Sequence, residues 1–147
     1  MRLQDILRVK GAAVHTISPE ATLDDVVQKL IAQNCGSLVV CDEALNDGCS
    51  EMVGIITERD ILRFCAARRG PLDGMHVKDV MTREPTTGTP YDTIEDTMGL
   101  MTEQRIRQLP ILDEGRLAGI ISIGDVVKAH YDQVALENHY LKSYIQS

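Results

Sequence analysis

The chain has no tryptophan and one phenylalanine, Phe64, among 147 residues. The aromatic platforms on which proteins stack single-stranded nucleic acid are therefore missing. Positive charge is also scarce, with 15 Lys and Arg against 22 Asp and Glu and a net charge of -7. A broad basic footprint for DNA or RNA is thereby excluded. No run of 18 apolar residues exists, and charges interrupt every apolar stretch of Met1–Arg8, so neither a membrane span nor a signal peptide is legible and a cytoplasmic chain is expected. Cys35, Cys41, Cys49 and Cys65 form no C-x-x-C pair and no zinc-ribbon spacing. In a reducing compartment they read as small apolar fillers. Glycine-rich phosphate loops and the G-x-G-x-x-G fingerprint are lacking. His15, His76, His130 and His139 lie in unrelated contexts, none in a motif with Ser, Cys or Asp. With no nucleophile–base pair and no metal-ligand spacing, the chain is expected to be neither an enzyme nor a metalloprotein.

What is there is an ordinary soluble composition, 44% hydrophobic and 25% charged, and an internal repeat. Shifted by 71 residues, Val14–Asp42 overlies Pro85–Asp113 with seven identities, among them Thr16/Thr87, Pro19/Pro90, Thr22/Thr93, Asp25/Asp96 and Asp42/Asp113. After Asp42 the offset falls to 65, where Gly54-Ile55-Ile56-Thr57-Glu58-Arg59-Asp60 overlies Gly119-Ile120-Ile121-Ser122-Ile123-Gly124-Asp125. The difference is an insertion, Glu43 to Glu51, acidic and rich in turn formers, expected in a surface loop. Gln4-Asp5-Ile6-Leu7 resembles Lys78-Asp79-Val80-Met81, so each copy opens with a short helical turn, and the boundary falls near Gly74.

Each copy has one local grammar. An extended segment (Val14–Ile17; Thr86–Thr87) meets a proline turn, then a helix over Thr22–Gln33 or Thr93–Arg105. Thr22-x-x-Asp25 and Thr93-x-x-Asp96 open those helices as capping boxes. Strands are expected at Leu38–Val40, Met52–Ile56, Leu109–Leu112 and Leu117–Ile121, and a second helix leaves from Thr57 or Ser122. A β-α-β-β-α unit of this length cannot bury both faces of its sheet alone, whereas two copies can. From Asp125 to Gln146 there is neither Gly nor Pro, and Val127, Tyr131, Val134, Asn138, Leu141 and Ile145 recur by fours and threes. That is the spacing of a short coiled-coil seam, or of a helix packed back on its own domain. Self-association is the economical expectation.

The two Gly-Ile-Ile-Thr/Ser-x-x-Asp segments have two readings. They are capping boxes, and they are places where a strand delivers a helix N-terminus, with its unpaired N–H groups and positive dipole end, suited to an anionic phosphate. A hydroxyl at the cap suits a phosphate oxygen, an aspartate one turn on suits ribose hydroxyls, and the preceding Ile offers a flat base an apolar face.

On these segments, together with Val80-Met81-Thr82 and Arg105-Ile106-Arg107-Gln108-Leu109-Pro110-Ile111-Leu112-Asp113, the whole chain resembles a tandem pair of CBS domains, a Bateman module, of the stand-alone bacterial kind. The resemblance implies an α/β fold of two pseudo-twofold β-α-β-β-α units plus a long C-terminal helix. The divisions are 1–74 for repeat one, 75–130 for repeat two and 131–147 for the helical extension. It also implies a homodimer, and adenosine-nucleotide sites (AMP, ADP, ATP, NAD(H) or S-adenosylmethionine) in the clefts between repeats. Carried over residue by residue, Ile55, Thr57 and Asp60 would work with Thr87, Ile106, Arg107 and Gln108. Ile120, Ser122 and Asp125 would work with Thr16, Ala21, Cys35, Gly36 and Ser37. Asp60 and Asp125 would hold ribose, and Thr57 and Ser122 would face phosphate. Arg59 and Arg63, one turn apart, would be within reach of phosphate. Arg107 is replaced by Gly36 in the other copy, so the Thr57/Asp60 cleft is expected to be the tighter; Gln108 stands where many members carry His. The implied function is a non-catalytic regulatory module that senses energy or redox state for an unknown partner protein. The alternative is a ligand-free homodimeric scaffold acting through the C-terminal helix.

Overall fold

A computed structural model of the chain describes residues 1–11, 13–42 and 51–146. The insertion expected over Glu43 to Glu51, save Glu51, and Cys49 lie outside the described residues. The elements are α1 (Leu3–Lys10), β1 (Thr16–Ile17), α2 (Leu23–Gln33), β2 (Ser37–Cys41), β3 (Met52–Thr57), α3 (Glu58–Ala67), α4 (Ile94–Gln104), β4 (Gln108–Asp113), β5 (Arg116–Ser122) and α5 (Ile123–Gln146), with single 3₁₀ turns at Leu72–Gly74 and Val77–Asp79. The expected helices are all present, and so are the expected strands except the one opening the second copy.

The chain divides into two compact units. One comprises Ala13–Thr86 with Glu114–Leu117; the other comprises Met1–Ala12, Thr87–Asp113 and Ala118–Ser147. In the first, β1 runs parallel to β2 and β2 antiparallel to β3. Ser37 stands opposite Thr57, Leu38 opposite Ile56 and Val39 opposite Ile55. Every residue of β2 is buried, which is why Leu38-Val39-Val40-Cys41 is a continuous apolar run rather than an alternating one. Leu23, Val26 and Leu30 of α2 and Ile61 and Phe64 of α3 pack with it, at the helical spacing the sequence carries.

Val77 and Met81 complete this core, although they belong to the opening of the second repeat. Their segment is held by Leu23 N–H to Met75 C=O (3.0 Å), Val77 N–H to Ala21 C=O (2.8 Å) and Lys78 N–H to Pro19 C=O (3.0 Å). Ile55 and Thr82 exchange two further backbone bonds of 3.0 and 2.9 Å. The approach is close enough to require glycine beside it, since a Cβ on Gly54 would lie 2.7 Å from the Thr82 carbonyl oxygen.

The other unit makes the reciprocal arrangement. Leu3 and Ile6 of α1, from the first repeat, are buried with Ile94, Met101, Leu109, Ile111, Ile121 and Val126. Leu3 N–H bonds Asp92 C=O (3.0 Å) and Gln4 N–H bonds Pro90 C=O (2.9 Å). The repeats divide the chain near Gly74, but the units divide space differently, because each repeat contributes its opening turn to the core built around the other.

Two local features differ from the sequence reading. The extended segment expected at Thr86–Thr87 is not a strand. Its pairing contracts to a parallel bridge between Gly88 and Ile111, where a side chain on Gly88 would press on Leu109 and Ile111. Cys41, read as an apolar filler, is buried but disulfide-bonded, while Cys35 and Cys65 are free thiols.

Candidate functional site

The two repeated strand-to-helix junctions are built alike. Thr57 ends β3 and caps α3: its hydroxyl accepts from Asp60 N–H (3.3 Å), and Asp60 Oδ2 accepts from Thr57 N–H (2.9 Å). Ser122 ends β5, and the same two bonds with Asp125 measure 3.1 and 2.9 Å. Both junctions are thus complete capping boxes. The segment before the paired strand seals each one, as Glu58 N–H donates to Gly36 C=O (3.0 Å) and Ile123 N–H donates to Arg107 C=O (2.8 Å). The first and third N–H groups of each helix are therefore used within the protein. The dipole end and the polar side chains remain, so an anion here relies on cationic side chains more than on bare backbone donors.

The first unit brings together Ile55, Thr57 and Asp60 with Gly36 and Ser37, through the Gly36–Glu58 bond and the Ser37–Thr57 register. Ile55 is buried, whereas Thr57 and Asp60 are half-buried. Arg59 is exposed on the first turn of α3. Thr16 lies on β1 opposite Val39, its carbonyl accepting from Lys29 Nζ. Ala21 lies in the turn before α2, its carbonyl occupied by Val77 N–H. Cys35 sits between α2 and β2, half-buried, its N–H bonded to Leu30 C=O at 3.1 Å.

The second unit brings Ile120, Ser122 and Asp125 together with Arg107, whose side chain is exposed. Ile106 N–H closes the end of α4 on Met101 C=O (3.1 Å), and Gln108 begins β4. Thr87 is half-buried just before the Gly88 bridge.

One charged residue at this junction was not singled out from the sequence. Lys10, in the last turn of α1, donates from Nζ to Asp125 Oδ2 (2.6 Å) and to Ile120 C=O (2.9 Å). Burial alone would raise the Asp125 pKa, but the Lys10 hydrogen bond and charge, with the Ser122 bonds, outweigh it and hold the carboxyl below its ordinary value of 3.8. No ion pair reaches Asp60 among the described residues. The two junctions share a backbone design and differ in electrostatics. No local signal marks Lys10, because its partner is 115 residues away.

A family profile described as CBS domain matches the chain twice, at residues 4–67 and 77–132. Among curated proteins, the chain is 33% identical over 150 residues to the mitochondrial CBS domain-containing protein CBSX3 of Arabidopsis thaliana, covering 98% of this chain and 71% of that one. Among solved structures, it is similar to the CBS domain NE2398, with TM-score 0.80, 37% identity and coverage of 89% of this chain and 98% of that one. It is also similar to the CBS domain protein PAE2072 of Pyrobaculum aerophilum complexed with AMP, with TM-score 0.72, 25% identity and coverage of 85% and 89%.

Proposed function

The chain belongs to the CBS-domain family as a tandem pair, and from that premise we propose that it is a non-catalytic regulatory module that binds an adenosine nucleotide at the N-termini of α3 and α5. The observation carrying this reading is the duplicated junction, an Ile-Ile strand end, buried apart from the half-buried Ile120, leading into a hydroxyl cap with an aspartate three residues on. A helix N-terminus favours phosphate even on an acidic protein, and an aspartate with an unshared oxygen suits ribose hydroxyls. The AMP complex of PAE2072 supports the ligand class.

In this reading the α3 junction fills first. Among the described residues no ion pair reaches Asp60, whereas Asp125 already holds Lys10 on its Oδ2, so ribose arriving there competes with a bound cation. Lys10 also adds a second cation, with Arg107, on the unit that carries the α5 junction. Ligand shifts the protein toward the conformation it binds better, by its differential affinity and no more; energy or redox state is the signal such a module reports to a partner protein.

A thermal-shift panel of AMP, ADP, ATP, NAD⁺, NADH and S-adenosylmethionine tests the reading. At free ligand 100 times Kd the stabilisation is about 2.7 kcal/mol, a rise of several degrees for a chain of this size. Asp60→Ala removes most of the rise. A flat panel at millimolar ligand overturns the reading in favour of the ligand-free scaffold, for which the exposed apolar side chains of α5 are the favouring observation.

A further inference from the structure

The exposed surface of α5 is patterned in charge as well as in apolarity. The helix is continuous from Ile123 to Gln146, about 36 Å long. Its first half packs inward through Val126, Ala129 and neighbours. Val127, Tyr131, Val134, Leu141 and Ile145 face away from that core and are exposed, Ile145 by 79%. From Val134 to Gln146 every residue is exposed.

Spacings of four and three place Val127, Val134 and Leu141 at the d positions of a heptad and Tyr131, Asn138 and Ile145 at the a positions. Glu137 then falls at g and Lys128 and Lys142 at e. In a parallel, in-register pair g faces e′ five residues on, so Glu137 of each helix meets Lys142 of the other, and Asn138 meets Asn138, where two amides satisfy each other. The antiparallel pair of these stripes sets Glu137 beside Glu137 and Lys128 beside Lys142, and buries Asn138 against Val134. Charge and the single polar seam residue agree on one orientation and oppose the other.

We propose that α5 pairs with α5 of a second copy of this chain as a parallel, in-register two-stranded coiled coil running from Val127 to Ile145. This deepens the expectation of self-association and is independent of nucleotide binding. The seam spans fewer than three heptads, so a dissociable dimer is expected.

The test uses the full chain. Sedimentation of the wild type across micromolar concentrations is expected to show a monomer–dimer equilibrium. Glu137→Lys and Lys142→Glu each weaken it about tenfold, because two attractive pairs become repulsive, while the double exchange restores it. Ile145→Cys cross-links to itself under mild oxidation, with peptide mapping locating the bond because Cys35 and Cys65 are also free thiols. In an antiparallel pair the two positions are roughly 27 Å apart and do not link. A monomeric wild type overturns the coil and self-association together. A dimer that is indifferent to the charge exchange and yields no 145–145 link overturns the coil alone. Every substituted side chain is exposed, so folding, checked by circular dichroism, is expected to be unchanged.

Discussion

Lys10 decides how the two aspartates differ. The ion pair lowers the Asp125 pKa in the folded state, so it adds stability above the ordinary carboxylate range that is lost as pH falls through the lowered value. Lys10→Met is expected to cost stability at neutral pH, and the wild type's advantage is expected to shrink below about pH 4. Urea unfolding of both proteins across that range checks the sign; a constant difference would contradict the assignment. The same substitution raises the Asp125 pKa, readable by NMR titration of the carboxyl. In the proposed reading it also removes a cation competing at Asp125, so nucleotide binding at the α5 junction is expected to rise relative to that at α3. Asp60→Ala has the opposite outcome and is expected to cut nucleotide-induced stabilisation while Asp125→Ala leaves most of it. Calorimetric titration of the two variants resolves the order of filling.

The elements most legible in the sequence are those whose cause is local. Thr22, Thr57, Thr93 and Ser122 each accept from the N–H three residues on, and the spacing announces it. Thr57→Ala is expected to cost about 1 kcal/mol of stability even without ligand, which denaturant unfolding measures. β2 was legible as a short apolar run and β3 from its Gly-Ile-Ile repeat. Thr86–Thr87 was not, because the pairing there is confined to the single bridge between Gly88 and Ile111, a tertiary contact that the segment itself does not show. Gly54 shows a similar gap. It reads as one residue of a motif, yet its role is to let the Thr82 carbonyl approach. Gly54→Ala is expected to destabilise by roughly 1–3 kcal/mol through overpacking, with loss of amide protection at Ile55 and Thr82 as the local signature. The candidate site divides the same way. The hydroxyls and aspartates follow from motif spacing, while Lys10 and the backbone seals by Gly36 and Arg107 depend on tertiary placement.

For the whole molecule, the exchange of opening segments sets the energetics. Leu3 is fully buried among residues of the second repeat, so Leu3→Ala is expected to cost about 2–5 kcal/mol. Hydrogen exchange should show the loss in α4 and β4 rather than in β1 and β2; protection lost around β2 would contradict the assignment of α1 to its unit. The exchange also has a consequence in time. During synthesis α1 emerges ahead of the other elements, but Asp92 and Pro90, which accept its first backbone bonds, follow almost ninety residues later. At about 5–20 residues per second that is a wait of several seconds. The first repeat waits too, since its core lacks Val77 and Met81 until they leave the exit tunnel. An amphipathic helix and a half-closed sheet therefore stand open together while the ribosome works, and the molecule closes late. A nascent chain stalled before residue 90 should be far more sensitive to protease than its length alone would suggest.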